Sequence, residues 1–209
     1  MKKPIILASA SPRRFELMRQ IGIDPMVITS EINENWDGKI NGRELAIKLA
    51  LKKAQACANK VKEGIIISAD TVVMKGNQIF GKPKDLNQAV EMLSSLRGTS
   101  HSVITGVAVL ELPGRKLALD YEETEVFFRS LTDEEIRSYI NWGESLDKAG
   151  AYGIQGKGAL LVEKISGDYF NVVGLPLQKL NKMLQEFDLN LLLNAPYGSE
   201  TAPGGGLVR

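Results

Sequence analysis

The chain has 209 residues, of which 44% are hydrophobic, and this is enough to bury a sizeable core in one domain or in two joined lobes. Its 26 basic and 25 acidic residues give a formal net charge of +1, so no overall electrostatic field attracts nucleic acid or an anionic membrane. The apolar stretches fall well short of the roughly 18 residues that a membrane helix needs, and a signal peptide is not indicated, so we expect a cytoplasmic protein without a membrane anchor.

The single cysteine and the single histidine limit the chemistry further. Cys57 excludes an intramolecular disulfide and a thiolate metal cluster, and its alanine-rich surroundings predict a place in the core. His101 excludes a multi-histidine zinc site. It could serve in a Ser-His or Cys-His pair, but a structural role at a strand edge is the better interpretation. The ligands of any bound metal would therefore be oxygens, which favours Mg²⁺ or Mn²⁺.

The first predicted helix starts within the motif SASPRR, residues 9–14, directly after the strand-like apolar run 5–8. Ser11 is a favoured N-cap residue, and the proline after it suits the first helical position. The helix would direct its positive end and the guanidinium groups of Arg13 and Arg14 at one place, which suits a polyanion. Taken alone, the motif is more simply a capped surface helix with solvated arginines.

The next elements indicate a strand–helix–strand unit. A short strand at 26–28 and a polar, acidic loop at 31–42 precede a long helix predicted over 43–62. Gly64 ends that helix, and the chain returns through the apolar strand 65–69, as a crossover between parallel strands requires.

Asp70 follows this strand directly. An ionised carboxylate at the carboxyl end of a buried strand occupies the position where open α/β sheets bind their ligands. The alternative is that Asp70 only caps the turn that follows the strand.

Hairpins become frequent after this point, so we predict an α/β fold with a mixed twisted sheet flanked by helices. The remaining elements are a hairpin at 72–80, a helix capped by Asp85, a hairpin at 103–128, a helix opened by the capping box 132–135, a strand at 160–165 and a helix at 175–187. We predict a single domain over 1–193. Residues 194–209 are predicted to be a flexible tail, whose composition fits an addition for expression as well as a native terminus.

Five segments in this order resemble the Maf family of house-cleaning nucleoside triphosphate pyrophosphatases, over roughly residues 4–188. They are SASPRR at 9–14, the strand ending in Asp70-Thr71, GKPKD at 81–85, GTSHSVITGV at 98–107 and DKAGAYGIQG at 147–156. The resemblance implies two lobes around a central cleft, as in Maf and ITPase-like folds. It also implies hydrolysis of a nucleoside triphosphate to the monophosphate and pyrophosphate with a divalent metal.

Cleavage of a phosphoanhydride needs cations for the phosphate oxygens and a carboxylate for the metal or for the proton of water. The resemblance implies that Asp70 accepts this proton and binds the metal together with Glu34, although Glu34 could equally be a solvated acid of its loop. It also implies catalytic roles for Lys53 and Lys82, where the adjacent Lys52 leaves the first assignment open by one residue.

The resemblance further implies that Ser9, Arg13, Arg14, Thr71 and Gln155 bind or select the substrate. Family subgroups differ at the positions of Arg13, Thr71 and Gln155, and the combination in this chain resembles the dTTP/UTP pyrophosphatase branch rather than the branch that acts on 7-methyl-GTP. Gln155 offers a donor and an acceptor to a pyrimidine edge. A pocket that tolerates one methyl group should accept both uracil and thymine.

A different class of function stays open. The family's historical link to septum formation suggests a non-catalytic nucleotide-sensing regulator of cell division, which would bind nucleotide and release it unchanged. We expect no nucleic-acid partner, because clustered aromatic residues for base stacking are scarce. A homodimer is compatible with the sequence.

Overall fold

The computed structural model of the chain describes residues 3–29, 32–34 and 40–193. The strands are β1 (Ile5–Leu7), β2 (Met26–Val27), β3 (Gly64–Lys75), β4 (Gln78–Phe80), β5 (Ser100–Leu112), β6 (Leu117–Phe128) and β7 (Val162–Ser166). The helices are α1 (Pro12–Gln20), α2 (Gly42–Ala58), α3 (Leu86–Leu96), α4 (Asp133–Asn141), α5 (Tyr169–Val173) and α6 (Leu177–Gln185). Short 3₁₀ helices cover Ala149–Ala151 and Gly156–Leu160.

In the described part of the chain, seven strands form one mixed sheet, which confirms the predicted fold class. The strand order is β2-β1-β3-β5-β6-β7, and β4 pairs with β3. β1 is parallel to both β2 and β3, whereas β3, β5, β6 and β7 pair with one another in antiparallel fashion. The early crossover and the later hairpins are thus joined in a single sheet, as the order of the predicted elements indicated.

A gap in this sheet lies along one edge of β3. The pairing of β1 with β3 reaches Leu7 opposite Ile67, and that of β4 with β3 includes Val73 opposite Phe80. β5 pairs along the other edge of β3, so β1 and β4 share the edge that β5 leaves free. A cleft of about 960 Å³ opens at the interval between them, and Asp70 and Thr71 line it.

Helices cover both faces of the sheet. α2 packs on one face, where Ala50, Ala54 and Cys57 join Ile66 in a buried core, so the predicted core position of Cys57 is confirmed. The other face carries two cores. One contains Leu17 of α1 and residues of α6, and the other contains residues of α3 and α4. Both cores contribute residues to the cleft, which agrees with the expected two lobes around a central cleft.

Gly106 allows α2 to lie unusually close to the sheet. A Cβ atom at this position of β5 would overlap with the backbone of Ala46 in α2. Gly106 pairs with Asp70 across the β3–β5 ladder. The absence of a side chain at Gly106 therefore brings α2 down onto the sheet beside Asp70.

Several local predictions are confirmed. β3 and β4 form the hairpin around the Gly76-Asn77 turn. The Asp85 side chain accepts from the backbone N–H of Gln88 at the start of α3. The capping box at 132–135 is present at the start of α4.

The predicted break after strand 65–69 is wrong. β3 runs without interruption from Gly64 to Lys75, because residues 64–74 all pair with β5. Asp and Thr favour turns and have little intrinsic preference for a central strand, but tertiary pairing overrides that preference here. His101 lies near the start of β5, as its second residue, where it pairs with Val126 of β6, while the pairing of β5 with β3 reaches only Ser102.

The predicted helix over 43–62 ends earlier than expected. α2 stops at Ala58, Asn59 follows as its C-cap, and the N–H of Lys60 donates to the carbonyl of Cys57. The helix cannot continue to residue 62 because β3 already starts at Gly64, where the N–H of Ile65 donates to the carbonyl of Pro4. The residues between Ala58 and Gly64 are therefore needed for the turn from the helix into the strand. α5 was not predicted, and its five residues are too few for a helical apolar pattern.

Parts of the sequence-based predictions fall outside the described residues. They are much of the acidic loop at 31–42 and the whole of the tail at 194–209. Among the described helices, none combines the length and the apolar character that crossing a membrane demands.

Candidate active site

All nine side chains that the sequence singled out line the same cleft. They come from six separate stretches of the chain and are Ser9, Arg13, Arg14, Glu34, Lys53, Asp70, Thr71, Lys82 and Gln155. These nine side chains comprise four cations, two carboxylates, two hydroxyl groups and an amide, and the lining also contains Lys84, Lys148, Glu144 and Asp147. Such a set can bind a polyanion and position a water molecule beside it.

Lys53 lies between the carboxylates of Glu34 and Asp70. Its ammonium contacts Asp70 Oδ1 and lies 2.8 Å from Glu34 Oε1. Of the two neighbouring lysines, Lys53 is the one that reaches these groups. Burial opposes the ionisation of Glu34, but the hydrogen bond from Lys53 and the nearby positive charges outweigh it, so the pKa of Glu34 is lowered. Glu34 is thus held as a carboxylate beside the cation.

Asp70 does not occupy the end of its own strand, contrary to the prediction, and it caps no turn. It lies within β3, where it pairs with Gly106, and only 8% of the residue is exposed. The strand that does end here is the parallel neighbour β1, whose last paired residue is Leu7. The rule that ligands bind beyond the carboxyl ends of strands is therefore satisfied by β1.

The position of Lys53 depends on a buried hydrogen bond that the sequence did not reveal. The hydroxyl of Ser68, which is fully buried, donates to the carbonyl of Ala50 over 2.7 Å. Ala50 lies three residues before Lys53 in the same helix, and Ser68 lies two residues before Asp70 in the same strand. This bond and the close packing at Gly106 fix α2 against β3, so the lysine and the carboxylate meet.

Arg14 is held from three sides by neutral acceptors. Its Nε donates to the carbonyl of Gly174 over 2.7 Å, its Nη2 to Thr71 Oγ1 over 3.0 Å and its Nη1 to Ser9 Oγ over 3.3 Å. Burial lowers the pKa of the guanidinium, while the charge of Asp70 opposes this effect. Because the three acceptors are uncharged, they orient the guanidinium without neutralising it, and its charge can act on an anion.

At the start of α1, the hydroxyl of Ser9 takes the organising role that was expected of Ser11. Ser11 occupies the N-cap position, but its side chain makes no capping hydrogen bond. Instead the N–H of Ser11 donates to Ser9 Oγ over 3.2 Å, and Arg14 donates to the same oxygen. The hydroxyl that organises the motif is therefore that of Ser9.

Arg13 and Lys82 lie closer to solvent. Arg13 Nη1 is 3.6 Å from Asp147 Oδ2, in a pair whose acid is largely exposed, so the interaction is weak. Lys82 is exposed, and its charge contributes to the lowered pKa of Glu34. Both cations are available to a ligand entering the cleft.

Residues 149–156, here called the base loop, carry Gln155 and close one side of the cleft. The N–H of Gly150 donates to the carbonyl of Gly81 over 3.1 Å, and the N–H of Gly153 donates to the hydroxyl of Tyr139 over 3.2 Å. The hydroxyl of Tyr152 is 2.7 Å from Nε2 of His101. These contacts join segments that are far apart in the chain, so no local sequence motif predicts them.

The acidic residues fit a metal only in part. Within residues 3–29, 32–34 and 40–193, no group of three or more histidine, cysteine or acidic side chains is placed to hold an ion. Glu34 and Asp70 nevertheless contact one ammonium group from two sides. Two carboxylates with substrate phosphates are a usual environment of Mg²⁺, so the donor set fits an ion that arrives with a nucleotide.

Comparison with known proteins identifies the family. A family model described as Maf-like protein matches residues 4–187, which include every segment of the cleft. The chain belongs to the Maf family. The resemblance seen in the motifs is thereby confirmed, and the match ends at Phe187, just after α6.

Three relatives show how far the similarity of this Maf chain extends. It is 50% identical over 193 residues to the dTTP/UTP pyrophosphatase of Dictyoglomus turgidum, covering 92% of this chain and 100% of that protein. It is 50% identical over 192 residues to the dTTP/UTP pyrophosphatase of Alkaliphilus oremlandii, with 91% and 100% covered. It is 51% identical over 183 residues to that of Carboxydothermus hydrogenoformans, with 88% and 98% covered.

Proposed function

We propose that this chain hydrolyses dTTP and UTP to the nucleoside monophosphate and pyrophosphate, with the aid of a divalent metal ion. The observation that carries the proposal is the convergence of Arg13, Arg14, Lys53 and Lys82 with the carboxylates of Glu34 and Asp70 on one cleft. Relatives of about 50% identity that bear the name dTTP/UTP pyrophosphatase support the choice of substrates. Because the proposed substrates are free nucleotides, we propose that the protein acts in the cytoplasm.

The proposed reaction is attack of water on the α-phosphorus. The oxygen of water forms a bond to this phosphorus, the bond from the phosphorus to the bridging oxygen breaks, and pyrophosphate leaves. Asp70 accepts the proton of water, and its contact with Lys53 holds the carboxylate in place. Arg14, and Arg13 and Lys82 nearer the solvent, bind the phosphate oxygens.

A divalent metal, Mg²⁺ or Mn²⁺, would be held by Asp70 and Glu34 together with phosphate oxygens. When bound, it would neutralise charge on the triphosphate and polarise the reacting phosphate. Lys53 already brings the two carboxylates together, since it contacts both. The lysine thus prearranges the acidic residues for an ion that enters with the substrate.

Selection of the base is assigned to the base loop and to Thr71. Gln155 is partly exposed in the cleft, and its amide can donate to a pyrimidine carbonyl and accept from the ring N–H. The hydroxyl of Thr71 already accepts from Arg14 and lies 2.9 Å from that of Thr105. We therefore expect Thr71 to orient Arg14 for the phosphates and to influence selectivity through its own place in the lining of the cleft.

The test is product analysis with the purified chain. A panel of canonical and modified nucleoside triphosphates is incubated with Mg²⁺ or Mn²⁺, and products are separated by anion-exchange chromatography. We expect UMP, TMP and pyrophosphate, and the Asp70→Asn variant is the control for contaminating activity. Orthophosphate as the first product would contradict the proposal. Nucleotide that binds and is recovered unchanged would support a sensor instead.

A further inference from the structure

His101 is buried next to the cleft but contributes no atom to its lining. It lies in β5 and is 3% exposed, and its Nε2 is 2.7 Å from the hydroxyl of Tyr152. The imidazole packs edge-on against Phe128 and Tyr152, with ring centroids 4.9 and 5.4 Å apart. Tyr152, by contrast, does line the cleft.

The imidazole directs its hydrogen bonding to Tyr152. Among the described residues, Nδ1 of His101 is buried without a hydrogen-bond partner, so Nε2 makes the contact that compensates for burying the ring. A phenylalanine or leucine would fill the same space among aromatic rings without an unpaired nitrogen. A polar ring at this position is therefore best explained by the hydroxyl group that it holds.

Tyr152 is one of three anchors of the base loop. The other two are the hydrogen bond from the Gly153 N–H to the Tyr139 hydroxyl and the one from the Gly150 N–H to the Gly81 carbonyl. Gly81 directly precedes Lys82. The loop that carries Gln155 is thus tied to the segment that carries a cation of the cleft.

The hydrogen bond between Gly150 and Gly81 depends on a backbone conformation that favours glycine at position 150. The φ of 69° at Gly150 lies in the left-handed region, and a Cβ atom there would lie about 3.2 Å from the side chain of Val73. The loop therefore approaches β3 closely at Gly150. A displacement of the loop at Tyr152, two residues later, is expected to disturb the contact with Gly81.

We propose that His101 is a positioning residue that acts through the hydroxyl of Tyr152 on the base loop, and through the Gly150–Gly81 hydrogen bond on the segment of Lys82. The proposal rests on the proposed function for the identity of the substrate. It implies that base recognition and turnover are coupled. Loosening the loop should reduce selectivity for uracil over cytosine and should also lower kcat.

The first experiment removes the hydrogen bond between His101 and Tyr152 from either side. Tyr152→Phe and His101→Leu are compared with the wild type by the ratio of kcat/KM for UTP to that for CTP, with kcat and KM determined separately. We expect each variant to lower the ratio about tenfold, as for one buried hydrogen bond between neutral groups. The double variant should be no worse than either single variant, because both remove the same bond. His101→Gln, whose amide can still meet the hydroxyl, should recover part of the ratio.

The matched control is Phe128→Leu. Phe128 packs against both rings but takes no part in the hydrogen bond. This variant should lower Tm through lost packing while leaving the UTP:CTP ratio near that of the wild type. If Tyr152→Phe behaves like Phe128→Leu, with a lower Tm and an unchanged ratio, His101 only fills the core and the proposal is wrong. Additive losses in the double variant would also overturn it.

A measurement without turnover separates this inference from the proposed function. Hydrogen–deuterium exchange of peptides covering residues 149–156 should be faster in Tyr152→Phe than in the wild type, because the N–H groups of Gly150 and Gly153 lose their fixed partners. Unchanged exchange would refute the positioning role. If the wild type released no pyrophosphate from either nucleotide, the proposed function would fail while the exchange data still tested the loop anchor.

Discussion

Acidification should destabilise this protein through His101, and the size of the effect follows from its burial. Burial lowers the pKa of His101 to about 4 from the ordinary 6.5, and the charge of Lys75 acts in the same direction. Between these values the unfolded chain binds a proton that the folded chain does not. The stabilisation is therefore fully present above pH 6.5 and is lost as the pH falls toward 4.

The magnitude can be tested above the pH at which the carboxylates titrate. At about 1.4 kcal/mol per pH unit, the interval from 6.5 to 5 corresponds to a loss of about 2 kcal/mol in the free energy of unfolding. Urea unfolding is followed by tryptophan fluorescence at pH 5 to 7.5 for the wild type and for His101→Gln. The difference between the two proteins isolates His101, since the other titrating groups are common to both.

The expected result is that the wild type loses about 2 kcal/mol more stability than His101→Gln on acidification to pH 5. Two parallel stability curves would refute the reasoning, because they would show that the imidazole titrates alike in the folded and unfolded chains. Tyr152 does not complicate this comparison. Burial raises the pKa of its phenol, so the phenol stays neutral throughout this range and adds nothing to the pH dependence of stability.

Three substitutions test the proposed reaction directly. Asp70→Asn keeps the shape and removes the proton acceptor, so kcat for UTP should fall by roughly 10²–10⁴ while circular dichroism stays that of the wild type; near-full activity would remove Asp70 from this role. Lys82→Ala should lower kcat by about 10²–10³, whereas a loss of Tm alone would indicate a structural lysine. Gln155→Glu should reduce kcat/KM for UTP and dTTP together, by a factor equivalent to about 1–3 kcal/mol, and an unchanged ratio of either to 7-methyl-GTP would show that the base is read elsewhere.

The fold was predictable from the sequence where local signals and tertiary pairing agree. Asp85 and the capping box at 132–135 mark helix starts because their side chains bond to nearby N–H groups within the same turn. The Asp70-Thr71 step misled the prediction for the opposite reason. Its polar residues suggest a turn, but an antiparallel partner more than thirty residues later keeps the strand extended.

The site was predictable as a set of charges but not as an arrangement. Motifs that carry arginine, lysine and aspartate can be recognised because charged side chains are distinctive. The acceptor that fixes Arg14 is the backbone carbonyl of Gly174, which lies 160 residues away along the chain. Any residue could supply a carbonyl at that position, so only the three-dimensional structure identifies it.

The gap in the sheet explains how the adjacent residues Asp70 and Thr71 both reach the cleft, although their side chains lie on opposite faces of β3. Successive side chains of a strand point to opposite faces, and accordingly Asp70 meets Lys53 on the α2 face while Thr71 meets Arg14 on the other. In a sheet without this gap, a neighbouring strand along β3 would separate the two groups. Here β1 has ended and β4 has not begun, so both groups reach one cleft. The β5 ladder keeps the step rigid, and Gly106, the partner of Asp70, is also where α2 touches the sheet. The same residue pair therefore fixes the carboxylate and the helix that brings its lysine.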